Sequence, residues 1–218
     1  VSRVELLTPE VRAELMELAD LMVEATDPVL HPDGINLGLN IGEVAGAGVA
    51  DHLHLHVVPR WQGDANFMPI VAATTVMPEL LPVTYARLRA EIERIVVTRA
   101  GGIAPQAGAV AVLPDERRMI YRRAQTGEVL IPKGHIERDE SAAQAAVREL
   151  DEETGAAVTL VGWAGSHRYL AQPGASRAQD RHVSFFLATG ERTAALERHL
   201  SVDTVLVPVE DAVSALSV

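Results

Sequence analysis

The sequence predicts an α/β protein with two successive domains. Hydrophobic residues make up 48% of the 218 positions, which is enough apolar material for a substantial core. Segments with helical periodicity occur along the chain together with segments that have the pattern of strands. Residues 98–106 (TRAGGIAPQ) are rich in Gly, Ala and Pro, which is typical of a linker. We therefore predict one domain over residues 1–97 and another over residues 107–218.

The first domain is predicted to contain two helices and a β-hairpin. Residues 5–25 place apolar side chains on one helical face, and Thr8 followed by proline is an N-cap and first-turn signal. Residues 34–42 and 52–58 have the pattern of strands and flank a loop of small residues, which predicts a hairpin. A second helix is expected over residues 83–96, where apolar side chains again share one face.

The second domain is predicted to be a set of short strands with one helix among them. The helix over residues 141–154 carries its own boundary signals, because Ser141 and Gln144 have capping-box spacing and Gly155 follows at the C-cap. The predicted strands are AVAVL, RMIYRR, VLIPKG, VTLVGWAGSHRYL, HVSFFLATG and VDTVLVPV.

Charge and cysteine content exclude several classes of protein. The net charge of −11 disfavours non-specific binding to nucleic acid. A polyanionic substrate would therefore need a local binding site made of a metal ion, a helix N-terminus or a few Arg and Lys side chains. A chain without cysteine forms neither disulfides nor thiolate metal sites. No apolar run is long enough to cross a bilayer, and the acidic residues near the start do not fit a signal peptide. We therefore expect a cytoplasmic protein that binds neither nucleic acid nor membranes.

Three glutamates of the predicted helix 141–154 form the first candidate site. Glu149, Glu152 and Glu153 fall at positions i, i+3 and i+4, which brings three carboxylates together on one side. Like charges at this spacing repel, so a positive group is expected among them. Oxygen ligands of this kind suit Mg²⁺ or Mn²⁺ better than zinc. Arg148 could hold one carboxylate in place while the metal activates a water for attack on phosphorus.

The segment GHIERDESAAQAAVRELDEETGA resembles the Nudix box of the Nudix hydrolases, and it matches the family's spacing. A solvated acidic helix, the simplest alternative, would explain neither the glycine nor the arginine positions. The resemblance implies an α/β/α sandwich with a mixed sheet that hydrolyses a nucleoside diphosphate derivative. It also implies that Glu149, Glu152 and Glu153 bind the metal. Arg148 would then orient Glu149, and the Gly134 carbonyl would be a further ligand.

Other stretches of the second domain resemble the Nudix branch that cleaves dinucleoside polyphosphates, namely IPKGHIE, HRYL and RHVSFFLATG. The resemblance implies that Lys133 and His135 contact phosphate. It implies that Tyr169 stacks on a base or orders the phosphates. Lys133 is the only lysine beside 18 arginines. The branch often has a lysine in the strand where this chain has Arg181 and His182, which bears on substrate length and preference.

The alternating stretch HLHLHVVPRW, residues 52–61, is the second candidate site. On a strand, His52, His54 and His56 would share one face, with apolar residues on the other. Adjacent imidazolium charges repel, which keeps at least one ring neutral near pH 7. A neutral ring could attack phosphorus while the others donate hydrogen bonds to phosphate oxygens. A three-histidine metal site is the alternative, although such positions on a straight strand converge poorly on one ion.

This stretch resembles the histidine-triad signature of the HIT family of nucleotide hydrolases and transferases. Its flanks resemble the bacterial branch related to diadenosine polyphosphate phosphorylases. The resemblance implies an incomplete α+β HIT-like domain, because the family's first helix and strands would precede the start of this sequence. His54 would be the nucleophile, supported by His52 and His56. Asn40 and residues 46–48 would lie along the phosphates. The open sheet edge of such a domain would favour a homodimer.

Together these patterns predict Mg²⁺- or Mn²⁺-dependent hydrolysis of a phosphoanhydride in a nucleotide, with dinucleoside polyphosphates favoured. The general base is left open between Glu149 and Glu191. Two alternatives stay open for the whole chain. The first is a HIT-type nucleotidyl transferase or phosphorylase that uses His54. The second is a non-catalytic nucleotide-binding protein in which the HIT-like part serves as a dimerisation element.

Overall fold

The computed structural model describes most of the chain, in several segments. These are residues 2–42, 44, 53–64, 79–101, 103–170, 180–190 and 202–216. The chain folds as two units, Val1–Met77 and Pro78–Val218. Among the described residues, no helix has the length and apolar character needed to cross a membrane.

In its described residues, the first unit contains one long helix and a two-stranded sheet. The elements are α1 (Pro9–Leu30), β1 (Gly34–Leu39) and β2 (Leu55–Arg60). Helix α1 begins after Thr8, whose hydroxyl oxygen accepts a hydrogen bond from the Val11 amide, and it ends at His31 in the left-handed conformation. Strands β1 and β2 pair antiparallel, with Gly38 opposite His56. The predicted pairing of these two strands is therefore confirmed.

The described part of the second unit forms a seven-stranded mixed sheet with helices around it. Its helices are α2 (Leu81–Ala100), α3 (Ala142–Thr154) and α4 (Ala212–Ala215). Its strands are β3 (Ile103–Leu113), β4 (Arg118–Arg123), β5 (Val129–Leu130), β6 (Lys133–His135), β7 (Thr159–Leu170), β8 (Asp180–Thr189) and β9 (Thr204–Pro208). The order is β5-β4-β3-β8-β7, with β6 paired to β3 and β9 to β4. Strands β3 and β8 run parallel and the other described pairings are antiparallel, so the predicted mixed sheet is confirmed.

Two apolar clusters lie on the two faces of this sheet. Alternate residues of β3 share one face, where they pack with small residues of α2 and α3. Most of these residues are alanines, which lets the helices lie close to the strands. On the other face, Tyr121 packs with Val207 and Ala212, and its hydroxyl donates a hydrogen bond to the Ala212 carbonyl at 3.1 Å. Helices on both faces confirm the α/β/α order, with the four-residue α4 as the short outer layer among the described residues.

Helix α2 belongs to the second unit, whereas the sequence prediction assigned most of it to the first domain. Its Glu93 carboxylate lies 3.0 Å from His182 Nε2 and accepts a hydrogen bond from the Ser184 hydroxyl at 3.3 Å. These contacts join α2 to β8. The predicted linker covers residues 98–106; of these, residues 98–100 complete α2, Gly101 follows with φ 72°, and residues 103–106 begin β3.

Candidate active site

Local signals set both ends of helix α3, which carries the three glutamates. The Ser141 hydroxyl accepts a hydrogen bond from the Gln144 amide at 3.3 Å, and the Gln144 side chain accepts one from the Ser141 amide at 2.8 Å. The helix ends at Gly155 in the left-handed conformation, with φ 73°. This arrangement confirms the predicted capping box and C-cap. Leu150 on the buried side of α3 is fully inaccessible to solvent, so the helix presents a fixed polar side.

Arg148 lies at the centre of a hydrogen-bond network that joins carboxylates of the box. Its guanidinium donates to both oxygens of Glu140, at 2.8 and 2.9 Å, and to Glu149 Oε1 at 2.8 Å. The same group donates to Glu152 Oε2 at 3.3 Å and to the His135 carbonyl oxygen at 3.0 Å. The hydrogen bond from Arg148 holds the pKa of Glu140 below its ordinary value. One arginine therefore supplies positive charge to three glutamates and fixes the strand that precedes the helix.

Glu153 has a second set of partners on the neighbouring strands. Its Oε1 forms an ion pair with Arg122 of β4, and its Oε2 accepts a hydrogen bond from the Lys133 amide at 3.3 Å. The Glu153 side chain is 16% exposed. Burial raises its pKa above the ordinary value, although Arg122 acts in the opposite direction. Glu153 is therefore a carboxylate whose charge depends on a nearby cation.

Gly134 lies where the β6 backbone comes closest to Glu149. It stands opposite Ala107 in the pairing of β6 with β3. A Cβ atom added to Gly134 would lie under 3.0 Å from the Glu149 carboxylate. Glycine is thus the residue that permits this close approach. The role of the Gly134 carbonyl as a metal ligand stays a prediction.

The donor atoms of α3 fit a hard divalent cation, because they are carboxylate oxygens that lie next to the β6 backbone at Gly134. Within the part of the chain that the structure describes, no group of three or more His, Cys, Asp and Glu side chains is close enough to hold a metal ion. The positive charge among the glutamates comes instead from two arginines, Arg148 and Arg122. The predicted convergence of Glu149, Glu152 and Glu153 on one ion therefore stays a prediction.

The residues predicted to contact phosphate or base lie on β6 and β7, around Gln106 of β3. Lys133 Nζ lies 5.9 Å from the centre of the Tyr169 ring, and the Tyr169 hydroxyl donates a hydrogen bond to Gln106 Oε1 at 2.8 Å. His135 stands opposite Gln106 in the strand pairing, and its Nε2 contacts the guanidinium of Arg181. Burial lowers the pKa of Lys133 below the ordinary lysine value. The structure thus groups these three predicted residues, while their contacts with a substrate stay predictions.

Arg181 and His182 are neighbours on β8, and their side chains have different partners. Arg181 stands opposite Tyr169 in the β7–β8 pairing and contacts His135. His182 lies against Glu93 of α2 instead. Successive residues of a strand point to opposite faces, which explains the difference. Arg181 is therefore the residue that supplies a cation beside Tyr169 on this strand.

The sequence interpretation missed two residues of this site, Arg122 and Gln106. Arg122 comes two residues after Ile120, which is 1% exposed, so both share the core-facing side of β4. A cation on that side requires an acidic partner, and this signal was present in the sequence. Gln106 is a buried polar residue of β3, and its partner Tyr169 is distant in sequence, so no local pattern identified it.

The histidine stretch of the first unit is described only in part. The rings of His54 and His56 have centroids 4.6 Å apart, with planes at 71°. His56 Nε2 is buried and has no hydrogen-bond partner among the residues that the structure describes. Asn40 directly follows β1. His52, residues 46–48 and Glu191 lie outside the described residues, so the arrangement of the three imidazoles and the choice of base stay predictions.

The Glu140–Arg148 pair predicts a pH-dependent contribution to stability. The pKa of Glu140 is lowered from 4.5 in the folded state, so its contribution is present above pH 4.5 and is lost as the pH falls through the folded value. We expect Glu140→Gln to unfold at a lower temperature than wild type near pH 7. This difference should shrink below pH 4.5. Thermal unfolding at a series of pH values measures it, and Glu137→Gln on the adjacent exposed loop is the matched control. A difference that stays constant at acid pH would contradict the prediction.

Comparison with known protein families matches both parts of the chain. A NUDIX domain model matches residues 103–217, and a HIT domain model matches residues 1–63. Similar curated proteins include "AP-4-A phosphorylase" of two Mycobacterium tuberculosis strains, each 46% identical over 94 residues. This alignment covers 43% of this chain and 48% of the relative, so the chain spans about half the length of the curated relatives it matches.

Similar solved structures include a hydrolase and a pyrophosphohydrolase. The Ap4A hydrolase of C. elegans is 22% identical, with 52% of this chain and 86% of that chain covered and a TM-score of 0.41. The dihydroneopterin triphosphate pyrophosphohydrolase of E. coli is 17% identical, with 52% and 86% covered and a TM-score of 0.43. Because the NUDIX model covers more than half of its length and contains the helix with the three glutamates, this chain belongs to the Nudix family, and a HIT domain model matches its first part.

Proposed function

We propose that this protein hydrolyses a phosphoanhydride bond in a nucleoside diphosphate derivative, with dinucleoside polyphosphates as its substrates and Mg²⁺ or Mn²⁺ as its cofactor. The observation that carries the proposal is helix α3, whose glutamates lie against Arg148 and Gly134 in the spacing of the Nudix box. Membership of the Nudix family supports the reaction class. The 46% identity to a protein named AP-4-A phosphorylase supports the substrate class.

Glu149, Glu152 and Glu153, with the Gly134 carbonyl, are the ligands we assign to the metal. A divalent cation bound there would polarise the phosphate and lower the pKa of a water molecule. Arg148 orients Glu149 through the hydrogen bond that it donates to Oε1. We propose that Glu149 is the general base. Its Oε2, the carboxylate oxygen that is not bonded to Arg148, would accept the proton of the attacking water. The alternative base, Glu191, stays open.

Cations on the neighbouring strands would bind the remaining phosphates. Lys133 and Arg181 both lie beside Tyr169, on β6 and β8 respectively. The partial burial of Lys133 strengthens its attraction for an anion, because the local dielectric constant is lower than in water. The Tyr169 ring offers a surface on which a base can stack. His135 would donate a hydrogen bond to a phosphate oxygen at the edge of this group.

One assay tests the proposal, with diadenosine tetraphosphate as the substrate. We expect wild type to turn over only with added Mg²⁺ or Mn²⁺, and a chelator to stop the reaction. Glu152→Gln should lower the rate by about tenfold to a hundredfold, because one oxygen ligand is lost. His54→Ala should keep the rate. Glu137→Gln, the same substitution on an exposed loop of the box, is the control. Turnover that survives both the chelator and Glu152→Gln would refute the proposal.

A second candidate function is nucleotidyl transfer by His54, and two observations favour it. The HIT model matches residues 1–63, and the rings of His54 and His56 lie 4.6 Å apart. This activity needs no metal and would leave a nucleotide covalently bound to His54. Turnover lost only in His54→Ala would favour it, and a requirement for inorganic phosphate would indicate phosphorolysis. Ligand binding without turnover would indicate a non-catalytic nucleotide-binding protein. Homodimer formation through this part and residence in the cytoplasm stay predictions.

A further inference from the structure

Arg122 occupies a fixed position beside Glu153. It lies in β4, opposite Leu130 of β5 and Thr204 of β9, so its backbone is held from both sides. The Thr204 hydroxyl also donates a hydrogen bond to the Thr154 carbonyl at 2.9 Å, which joins β9 to the last turn of α3. The distance between the Arg122 and Glu153 backbones is therefore set by the sheet. The backbones of β4 and α3 therefore position this ion pair, and it does not depend on the flexibility of the two side chains.

Burial makes the two partners of this ion pair unequal. The Arg122 side chain is 38% exposed, whereas the Glu153 side chain is 16% exposed. The Arg122 guanidinium can therefore exchange Glu153 for water at little cost to itself. Glu153 cannot lose its cation at the same small cost, because its carboxylate is partly desolvated. The ionised Glu153 carboxylate therefore depends more on a positive partner than Arg122 depends on Glu153.

We propose that Arg122 and the divalent cation are alternative partners of Glu153, so that Arg122 sets the metal affinity of the site. The inference rests on the proposed function, in which Glu153 is a metal ligand. An ion that replaces Arg122 at Glu153 Oε1 breaks this ion pair, and the free energy of the pair is then subtracted from the free energy of binding. Arg148 differs from Arg122, because it binds four acceptor groups at once and can keep Glu140 when Glu149 turns to a metal.

Metal binding to the full-length chain without nucleotide tests this inference. Free Mn²⁺, measured by electron paramagnetic resonance, gives the affinity of each variant. We expect Arg122→Gln to bind Mn²⁺ about threefold to tenfold more tightly than wild type. Arg123→Gln removes the same charge one residue later, where the side chain is exposed and donates to the Gly127 carbonyl instead, and it should match wild type. Arg122→Lys keeps the charge in a weaker geometry and should fall between the two.

A second measurement separates competition from a purely structural role. In chelator, Arg122→Gln should unfold at a lower temperature than Arg123→Gln, because the pair with Glu153 is lost. Saturating Mn²⁺ should reduce this difference, since the ion then also breaks the pair in Arg123→Gln and the pair is absent from both proteins. A difference of equal size with and without Mn²⁺ would overturn the inference.

The outcomes also distinguish this inference from the proposed function. Equal Mn²⁺ affinity of wild type, Arg122→Gln and Arg122→Lys would overturn the inference alone, provided that Glu153→Gln weakens binding. Wild type that binds no Mn²⁺, or binds it independently of Glu152 and Glu153, would overturn the proposed function and the inference with it. Tighter binding by Arg122→Gln, with Arg123→Gln unchanged, supports both.

Discussion

Gly134→Ala is expected to lower metal-dependent hydrolysis by on the order of a hundredfold. The new Cβ atom would lie under 3.0 Å from the Glu149 carboxylate, so either this carboxylate or the β6 backbone must move. If the Glu149 carboxylate moves, its Oε1 no longer accepts the hydrogen bond from Arg148. If the backbone moves, β6 shifts away from β3 and carries Lys133 and His135 with it. Both routes disturb the proposed metal ligands and the proposed phosphate contacts together.

Stability should respond to Gly134→Ala as well, by about 1–3 kcal/mol in the free energy of unfolding, because the site has no room for an added methyl group. Urea unfolding in chelator measures this change, and Mn²⁺ affinity measures the effect on the site. Gly162→Ala in β7 is the matched control, since an added Cβ there meets no described atom within 4 Å. Full activity of Gly134→Ala with unchanged Mn²⁺ affinity would show that Glu149 does not depend on this close approach.

Short-range signals made helix α3 predictable from the sequence. Ser141 and Gln144 are three residues apart, and Gly155 directly follows the helix, so the chain itself brings these partners together. The pairings across the sheet are different, because they depend on strand order and register. Arg122 meets Glu153 across 31 residues, and Tyr169 meets Gln106 across 63. No local sequence periodicity identifies such a partner, so these contacts could not be predicted before the fold was known.

A stretch rich in small residues can be either a flexible linker or a strand on which helices pack closely, and this ambiguity affected the predicted domain boundary. The small residues after Thr98 resemble a flexible linker, and this resemblance placed the predicted boundary there. In the structure, Ala104, Ala107 and Ala109 lie in β3 and are at most 8% exposed. Ala107 and Ala109 are on the face of β3 on which helices α2 and α3 pack directly, so small side chains fit there. Among the described residues of this stretch, Gly101, with its positive φ, makes the turn that the composition suggested.

Arg148→Lys is expected to lower hydrolysis by on the order of a hundredfold and to destabilise the protein, although it keeps the charge. The guanidinium donates to both oxygens of Glu140, to Glu149, to Glu152 and to the His135 carbonyl oxygen. A lysine has three donors at one point and cannot reach acceptors spread around a planar fork. The carboxylates of Glu140 and Glu149 are 14% and 15% exposed, so water replaces the lost donors only in part.

The expected loss in the free energy of unfolding is about 1–3 kcal/mol, the usual cost of leaving partly buried acceptors without donors. Urea unfolding in chelator measures it, with the exposed Arg138→Lys as the matched control in the same box. The double variant Arg148→Lys/Glu140→Gln separates the two functions of the guanidinium. Removing the Glu140 carboxylate should restore part of the lost stability, because the unpaired charge disappears. It should not restore hydrolysis, because Glu149 and Glu152 still lack the donor that orients them. If the double variant recovers both, Arg148 acts only on Glu140, and the orientation of the proposed metal ligands comes from elsewhere.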